Sequence, residues 1–196
     1  MLTLREASFA LFGAWRLAHL DAQGAAYFDR TPEGALRSFW AAALLLPAYA
    51  VLTLLHLADH PPALDWPSLV LIHGIGYVVG WTAFPVAMIW IVRLMDHEQE
   101  YFGYLAMYNW SQVLVVLVAL PMAALRSGPL LPEPLLSALG LAVDVAIMIY
   151  LWFIARAGLG VGPFAAIGVV VTDLTISILI WAVTDWLSGV QPVRPS

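Results

Sequence analysis

Four hydrogen-bonding side chains fall inside long apolar stretches of this 196-residue sequence. Asn109 and Gln112 belong to YNWSQ, Asp144 interrupts LAVDVAIMI, and Asp173 interrupts VVVTDLTISIL. A carboxyl or amide group in the core of a bilayer is costly, and it is kept where it pairs, hydrogen-bonds or binds an ion. These four residues are therefore the candidate site of the sequence, an intramembrane polar cluster.

The expected depth of each residue follows from its position along its helix. At the helical rise, Asn109 lies about 12 Å and Asp144 about 13.5 Å from the expected helix end. Gln112 and Asp173 lie about 16.5 Å from theirs. The sequence therefore predicts one polar layer near the bilayer midplane. We expect at least one aspartate to be protonated near neutral pH, because burial and a neighbouring like charge both disfavour the ionised form.

The predicted layer has three interpretations. As structural glue, protonated aspartate, asparagine and glutamine side chains hold the helices in register, at about 0.6 kcal/mol per contact. As a proton or cation site, two carboxyl groups with neutral partners alternate between protonated and ion-bound forms. In the third interpretation, a lipid or small amphiphile hydrogen-bonds at the layer. All three are compatible with the sequence.

The composition is that of a membrane protein. Hydrophobic residues make up 62% of the chain and charged residues 11%, against roughly 45–50% and about 25% in soluble domains. The mean hydropathy is +0.87. The lipid bilayer is therefore the expected partner of the chain. The net charge of −5 comes with no basic stripe, which excludes nucleic acid, and the lack of cysteine excludes a thiolate zinc site.

Five apolar segments approach the length of about 20 residues that a helix needs to cross a bilayer. They are residues 35–57, 68–94, 101–125, 135–155 and 162–187. The short segments between them are rich in charge, proline or glycine, which is typical of loops. The predicted fold is an all-α polytopic membrane helix bundle of five transmembrane helices, preceded by a short interfacial N-terminal helix.

The boundaries of three regions follow from this pattern. Residues 1–34 are the predicted cytoplasmic and interfacial N-terminal segment, residues 35–187 the transmembrane domain, and residues 188–196 a short C-terminal tail. In the first region, Thr3 and Glu6 form a Thr-x-x-Glu capping box that starts a helix. The imperfect amphipathic pattern that follows favours a helix lying along the membrane surface.

The positions of the arginines predict the orientation in the membrane. With the N-terminus inside, six of the eight basic residues lie on the cytoplasmic side, and only Arg126 and Arg194 lie outside. All eight are arginine, a bias typical of a high-GC bacterium. We therefore expect a bacterial inner-membrane protein with a cytoplasmic N-terminus and a periplasmic C-terminus.

Two weaker motifs lie in the first two spans. His56, Asp59 and His60 share a helical face with a spacing that zinc sites use, but such groups are also common at helix ends, and we assign no metal. Gly76 and Gly80 have the small-xxx-small spacing of close helix contacts, which is compatible with self-association. Since the sequence contains no nucleophile elbow, phosphate-binding glycine loop or His-Glu-x-x-His motif, we expect no catalytic residue, no cofactor and no enzyme.

The sequence resembles the Yip-domain family of small membrane proteins in its five spans, its short loops and a third helix that opens with YFGYLAMYNWSQV. The resemblance covers about residues 35–187, and its motif is formed by Tyr101, Gly103, Tyr104 and Tyr108. The connector YFDRTPEGALRSFW is also similar to bacterial members. The resemblance implies a non-enzymatic five-helix membrane protein. Eukaryotic members bind prenylated Rab GTPases through a longer N-terminal region, a role that we do not transfer to this chain.

Two functions are compatible with these observations. The first is a membrane scaffold or interaction protein that organises lipid, other membrane proteins or copies of itself. The second is a proton- or cation-coupled transporter or channel element that uses Asp144 and Asp173. Five spans do not divide into two equal halves, which disfavours a transporter built from inverted repeats.

Overall fold

The structure, a computed structural model, describes residues 3–128 and 130–190. Within these ranges lie seven α-helices: α1 (Leu4–Ala18), α2 (Pro32–Ser38), α3 (Trp40–Asp59), α4 (Trp66–Leu94), α5 (Tyr101–Arg126), α6 (Glu133–Leu159) and α7 (Pro163–Leu187). Two 3₁₀ helices, Ala22–Tyr27 and Glu98–Glu100, lie in the connections. The chain is thus a helical bundle with an N-terminal segment of shorter helices.

Five helical segments of the described ranges are long and apolar enough to cross a membrane. They are Pro32–Asp59, Trp66–Leu94, Glu98–Arg126, Glu133–Leu159 and Pro163–Leu187. This confirms the predicted all-α bundle of five membrane-crossing helices. The observed helices α4 and α6 begin two residues before the predicted spans, because a proline occupies their first turn, where a missing N–H costs nothing.

The first helix begins as its sequence predicts. The Thr3 hydroxyl accepts a hydrogen bond from the Glu6 N–H at 3.2 Å, and the Glu6 carboxylate accepts one from the Thr3 N–H at 2.9 Å. This reciprocal capping box satisfies two backbone donors that a helix start otherwise leaves open. Helix α2 starts similarly, since the Thr31 hydroxyl accepts from the Gly34 N–H at 3.0 Å.

Helix α1 packs on the bundle along one side. Ala10, Ala14 and Leu17 are buried where α1 contacts α5 and α6. Tyr150 of α6 donates a hydrogen bond to the Ala14 carbonyl at 2.9 Å. The opposite side exposes the aromatic side chains of Phe9, Phe12 and Trp15. A docked helix with an exposed aromatic face has the character of an interfacial helix.

Charged side chains join α1, the turn before α2, and α2 itself. Arg37 of α2 donates to the Asp29 carboxylate at 2.6 Å and lies 3.4 Å from Glu6 of α1. The Thr31 N–H donates to Asp29 at 2.9 Å. This backbone hydrogen bond, together with the Thr31 hydroxyl and Arg37, lowers the pKa of Asp29. The carboxylate form of Asp29 therefore supports the turn that leads into α2.

Helix α5 lies at the centre of the bundle and contacts α1, α2, α3, α4 and α6. The first half of α5 is largely buried, including Gly103, Tyr104, Leu105, Ala106, Met107, Asn109, Trp110 and Ser111. A methyl group added at Gly158 of α6 would lie 3.0 Å from the Tyr104 ring, so α5 and α6 approach each other closely there. Helix α7 packs on α4 and α6.

The bundle has two ends, which we call proximal and distal, and a contact between distant parts of the chain marks each of them. The proximal end carries α1, α2 and the Arg30–Glu100 ion pair, in which the charged atoms lie 3.5 Å apart. The distal end carries the α3–α4 loop, whose Ala63 N–H donates to the Ser188 carbonyl at 3.3 Å. The predicted tail thus begins at the bundle. Its last part, residues 191–196 with Arg194, lies outside the described residues.

Candidate functional site

The structure separates the four residues of the predicted polar layer. Asp144 is exposed on the outer surface of α6, whereas Asp173 of α7 is 7% exposed. Asn109 is fully buried and Gln112 is half-buried. All four lie in the described ranges, and the side-chain partners of Asp173 and Asn109 are residues outside the set. The chain by itself therefore does not assemble the four into one hydrogen-bonded cluster.

Asp173 is held by a tyrosine of α5. The Tyr108 hydroxyl donates a hydrogen bond to Asp173 Oδ1 at 2.7 Å. The Tyr108 ring packs against Phe84 of α4, with the ring centroids 4.7 Å apart. The buried carboxyl group thus has a partner from another helix. Sequence reasoning missed this partner, although Tyr108 directly precedes Asn109 and stands at nearly the same height.

Asn109 contacts the end of α2. Its Nδ2 donates to the Ser38 hydroxyl at 2.8 Å, and Ser38 donates to the Ala35 carbonyl at 2.6 Å. The Oδ1 atom of Asn109 has no hydrogen-bond partner among the described residues. This contact joins α5 to the end of α2.

A cavity of about 400 Å³ lies between α3, α4, α5 and α7. Its inner end is lined by Tyr108 and Gln112, and its distal end by His56, His73 and Asp185. The wall between these ends includes Tyr49, Leu52, Tyr77, Trp81, Ile180 and Trp181. The volume falls within the range of about 300–1,000 Å³ that is usual for small-molecule sites. We define these residues as the interhelical cavity.

The interhelical cavity is elongated along the helix axes. On α4 it reaches from His73 to Trp81, and on α7 from Ser177 to Asp185. Each of these distances is about 12 Å at the helical rise. On α3 the cavity continues as far as Leu45, well inside the span. Its shape suits a narrow, extended molecule.

The distal end of the cavity is polar. Nε2 of His56 lies 3.1 Å from both carboxylate oxygens of Asp185, and the two side chains are 23% and 14% exposed. Nε2 of His73 lies 3.3 Å from the Ser188 hydroxyl. The His56–Asp185 contact joins α3 to α7, two helices that pack mainly on other neighbours. It therefore closes one side of the cavity.

The possible zinc motif does not form a metal centre in the described part of the chain. His56 is directed to Asp185, and the His60 ring stacks on the His56 ring with centroids 4.8 Å apart. Asp59 is exposed. Among the residues that the structure describes, no group of three or more histidine and acidic side chains could hold a metal ion.

Two tyrosines connect α3 to α4 along the cavity wall. The Tyr49 hydroxyl donates to the His73 carbonyl at 3.2 Å, and the Tyr77 hydroxyl donates to the Ala42 carbonyl at 2.6 Å. The two ring centroids lie 4.5 Å apart. Because both hydroxyl groups donate to backbone carbonyls, these tyrosines present mainly the surface of their rings to the cavity.

The glycines of the small-xxx-small motif both line the interhelical cavity, but they differ in their surroundings. A methyl group at Gly76 would lie 2.9 Å from the Thr184 hydroxyl oxygen of α7, so Gly76 permits the close approach of α4 and α7. A methyl group at Gly80 would meet no atom within 4 Å. Gly80 therefore leaves room in the cavity wall.

Comparison with protein-family models, with curated proteins and with solved structures gave no match. The resemblance to the Yip-domain family is not tested by these comparisons and stays a prediction. The interhelical cavity and its polar ends are therefore the features of the structure that indicate a function.

Proposed function

We propose that this chain is a non-enzymatic integral membrane protein that binds a small amphipathic molecule of the bilayer in the interhelical cavity. The carrying observation is the cavity itself, which is elongated, apolar and aromatic along its length, and polar at both ends. The apolar part of an amphiphile would cover the wall, while its head group would hydrogen-bond at one end. Pockets of this composition, with a few convergent polar groups, are typical binding sites.

The packing of the helices supports access from the bilayer. Helix α3 packs mainly on α5, whereas α4 packs mainly on α7, and α3 meets the α4–α7 pair through the side chains of Tyr49, Tyr77 and His56. Trp181 lines the cavity and is also 58% exposed on the outer surface. The cavity therefore borders the outer surface at Trp181, and this is the side from which a molecule of the bilayer would enter.

This proposal is a lipid-binding form of the scaffold or interaction role expected from the sequence, and it agrees with the non-enzymatic five-helix membrane protein that the Yip-domain resemblance implies. A bacterial inner membrane, with the N-terminus in the cytoplasm, belongs to the same proposal. An interfacial position of α1 within this proposal is supported by its packing on the proximal end and by its exposed aromatic face. Aromatic rings suit the head-group level of a membrane.

The proposal also includes a contact with another membrane protein or with a second copy of this chain. The exposed carboxyl group of Asp144 supports such a contact. Asp144 lies on the outer surface of α6, inside a membrane-crossing segment. A carboxyl group that faces lipid there is costly unless it finds a hydrogen-bond partner. A contact between chains would supply that partner.

Proton- or cation-coupled transport is the second candidate function. The observation that favours it is the Tyr108–Asp173 hydrogen bond, because Tyr108 also lines the cavity. A carboxyl group thus lies one hydrogen bond away from a space that reaches toward the distal end. Flux measured in proteoliposomes for the wild type and for Asp173→Asn tests this candidate, which predicts flux only in the wild type.

A matched pair of substitutions on α4 tests the binding proposal. Gly80 and Gly74 both have no atom within 4 Å of an added methyl group, but only Gly80 lines the interhelical cavity. Gly80 is exposed at an open part of the cavity wall, so Gly80→Leu should narrow the cavity from that side. Gly74→Leu should add the same side chain to a separate apolar groove that is lined by α4. Both changes should increase helix propensity equally.

The measurement is native mass spectrometry of protein released from lipid nanodiscs. We expect the wild type and Gly74→Leu to retain a bound amphiphile and Gly80→Leu to lose it. Equal retention by all three proteins, or no retention by the wild type, would contradict the proposed function. A thermal melt of each variant checks that the bundle is intact.

A further inference from the structure

We propose that the amphiphile carries a positive charge, and that Asp185 and the aromatic rings at the distal end of the cavity recognise its amine or quaternary ammonium group. This inference rests on the proposed function, since it names the chemical class of the molecule that the interhelical cavity binds. It is carried by the charges that line the cavity, by the contacts of His56, and by the hydrogen-bonding capacity of Asp185.

The charges that line the cavity favour a cation. All of the lining residues lie in the described ranges, and they include one carboxylate, Asp185, two histidines, and no arginine or lysine. Asp185 is largely buried, at 14% exposure. An anionic head group at this end would meet a carboxylate of like charge where little water can screen it, whereas a cationic head group would pair with it.

The contacts of His56 show what the distal end accepts. The His56 ring lies against Trp181, with the centroids 5.5 Å apart, while its Nε2 atom faces both oxygens of Asp185. A flat nitrogen-bearing group is thus held between an aromatic ring and a carboxylate. Ammonium groups are bound by the same two kinds of partner.

Asp185 retains the capacity to bind a ligand beside His56. A carboxylate has two oxygens with about four lone-pair sites, and Nε2 of His56 approaches both oxygens from a single side. His73 is directed to Ser188 instead, with 3.3 Å between Nε2 and the hydroxyl oxygen. The oxygens of Asp185 can therefore accept a further donor or face a quaternary ammonium group.

The rings of Tyr49 and Tyr77 extend the aromatic surface from the distal end into the cavity. They stand together on the cavity wall, with ring centroids 4.5 Å apart, and their hydroxyl groups are bound to backbone carbonyls. Such ring surface accommodates either the methyl groups of a quaternary ammonium or an alkyl chain. The expected ligand class is therefore a lipophilic amine or ammonium compound with one apolar chain.

Three probes with the same alkyl chain test the inference: decyltrimethylammonium, decanol and decanoate. Each is titrated calorimetrically into nanodiscs that contain the wild-type protein, and the signal from Gly80→Leu nanodiscs is subtracted to remove partition into lipid. We expect the cation to bind most tightly and the anion most weakly. Asp185→Asn should weaken binding of the cation by about tenfold or more and should change binding of decanol by less than about twofold.

The outcomes separate this inference from the proposed function. Equal binding of the three probes, with no effect of Asp185→Asn, would overturn the charge preference and leave the amphiphile site standing. No binding of any probe above the Gly80→Leu background would overturn both. A loss of all three probes in Asp185→Asn would make Asp185 structural and would also overturn the inference.

A substitution of His56 provides a second check. His56→Gln keeps a side-chain amide that can donate to Asp185 but removes the imidazole. We expect the preference for the cation to be retained in this variant. If the preference disappeared while decanol still bound, recognition would belong to His56, and the assignment to Asp185 would be refuted.

Discussion

The hydrogen bond between Tyr108 and Asp173 should contribute measurably to the stability of the bundle. It is 2.7 Å long, and its acceptor belongs to a side chain that is 7% exposed. In Tyr108→Phe, the carboxyl group of Asp173 loses this partner while its burial is largely unchanged. In the double variant Tyr108→Phe with Asp173→Leu, neither polar group is left without a partner.

The magnitude follows from this geometry. A buried polar group that loses its partner costs about 1–3 kcal/mol, whereas contacts between membrane helices average only about 0.6 kcal/mol and reach about 1.7. Tyr108 lines the cavity, so a water molecule can replace part of what its hydroxyl provides. We therefore expect Tyr108→Phe to lower the free energy of unfolding by about 1–2 kcal/mol, and the double variant to recover part of that loss.

The assay is a double-mutant cycle on unfolding in bicelles, which isolates the coupling between the two side chains. Tyr101→Phe is the matched control, since its hydroxyl donates at 3.0 Å to the Pro85 carbonyl rather than to a buried carboxyl group. A coupling of about 1 kcal/mol or more is expected for the pair. A coupling near zero, or equal losses in Tyr101→Phe and Tyr108→Phe, would refute the reasoning.

Three further predictions concern the surroundings of the site. Gly13→Ala should loosen the packing of α1, because the added methyl group would lie 2.7 Å from a ring carbon of Phe28 and such overpacking costs about 1–3 kcal/mol. Gly168→Ala is the control, since its methyl group would meet no atom within 4 Å. Hydrogen exchange of the α1 amides should be faster in Gly13→Ala only. Asp144→Leu should improve membrane insertion of α6 by about 3 kcal/mol, measured with a glycosylation reporter, and an unchanged value would contradict the cost assigned to this carboxyl group. Folding lowers the pKa of Asp29, so its contribution to stability is complete above the ordinary aspartate pKa and is lost as the pH falls through the lowered value. Proteolysis of the N-terminal segment should therefore become faster only in acid. Asp29→Asn should abolish this pH dependence.

The five spans could be predicted because length and hydropathy alone determine them. A bilayer requires long apolar helices whatever their neighbours are, and the capping box at Thr3 acts within one turn of helix. These features depend on residues that are close in the sequence. The observed helix bounds accordingly differ from the predicted ones by only a few residues.

The polar layer could not be predicted in the same way. Helical rise gives the height of a residue but not the direction in which its side chain points. Asp144 and Asp173 have similar predicted heights, yet Asp144 is exposed on α6 and Asp173 is buried on α7. Asn109 and Gln112 are three residues apart, yet Asn109 contacts α2 and Gln112 lines the cavity. Their neighbours are set by helix packing.

The interhelical cavity depends on contacts between distant parts of the chain. The sequence placed His56 with Asp59 and His60, its helical neighbours, but its partner is Asp185 of the last helix. In the sequence, Tyr108 is part of a family motif, and no local pattern marks it as the hydrogen-bond donor to Asp173. In each case the missing information was which helices lie side by side, and local periodicity does not contain it.

Photo-crosslinking provides the most direct test of whether an amphiphile binds in the interhelical cavity. A photoactivatable decyl alcohol is incorporated into nanodiscs, and the labelled residues are mapped by mass spectrometry. We expect labels concentrated on cavity residues such as Tyr77 and Trp81, lost in Gly80→Leu and kept in Gly74→Leu. Labels spread over the outer surfaces of the bundle, at equal levels in the two variants, would contradict binding in the cavity.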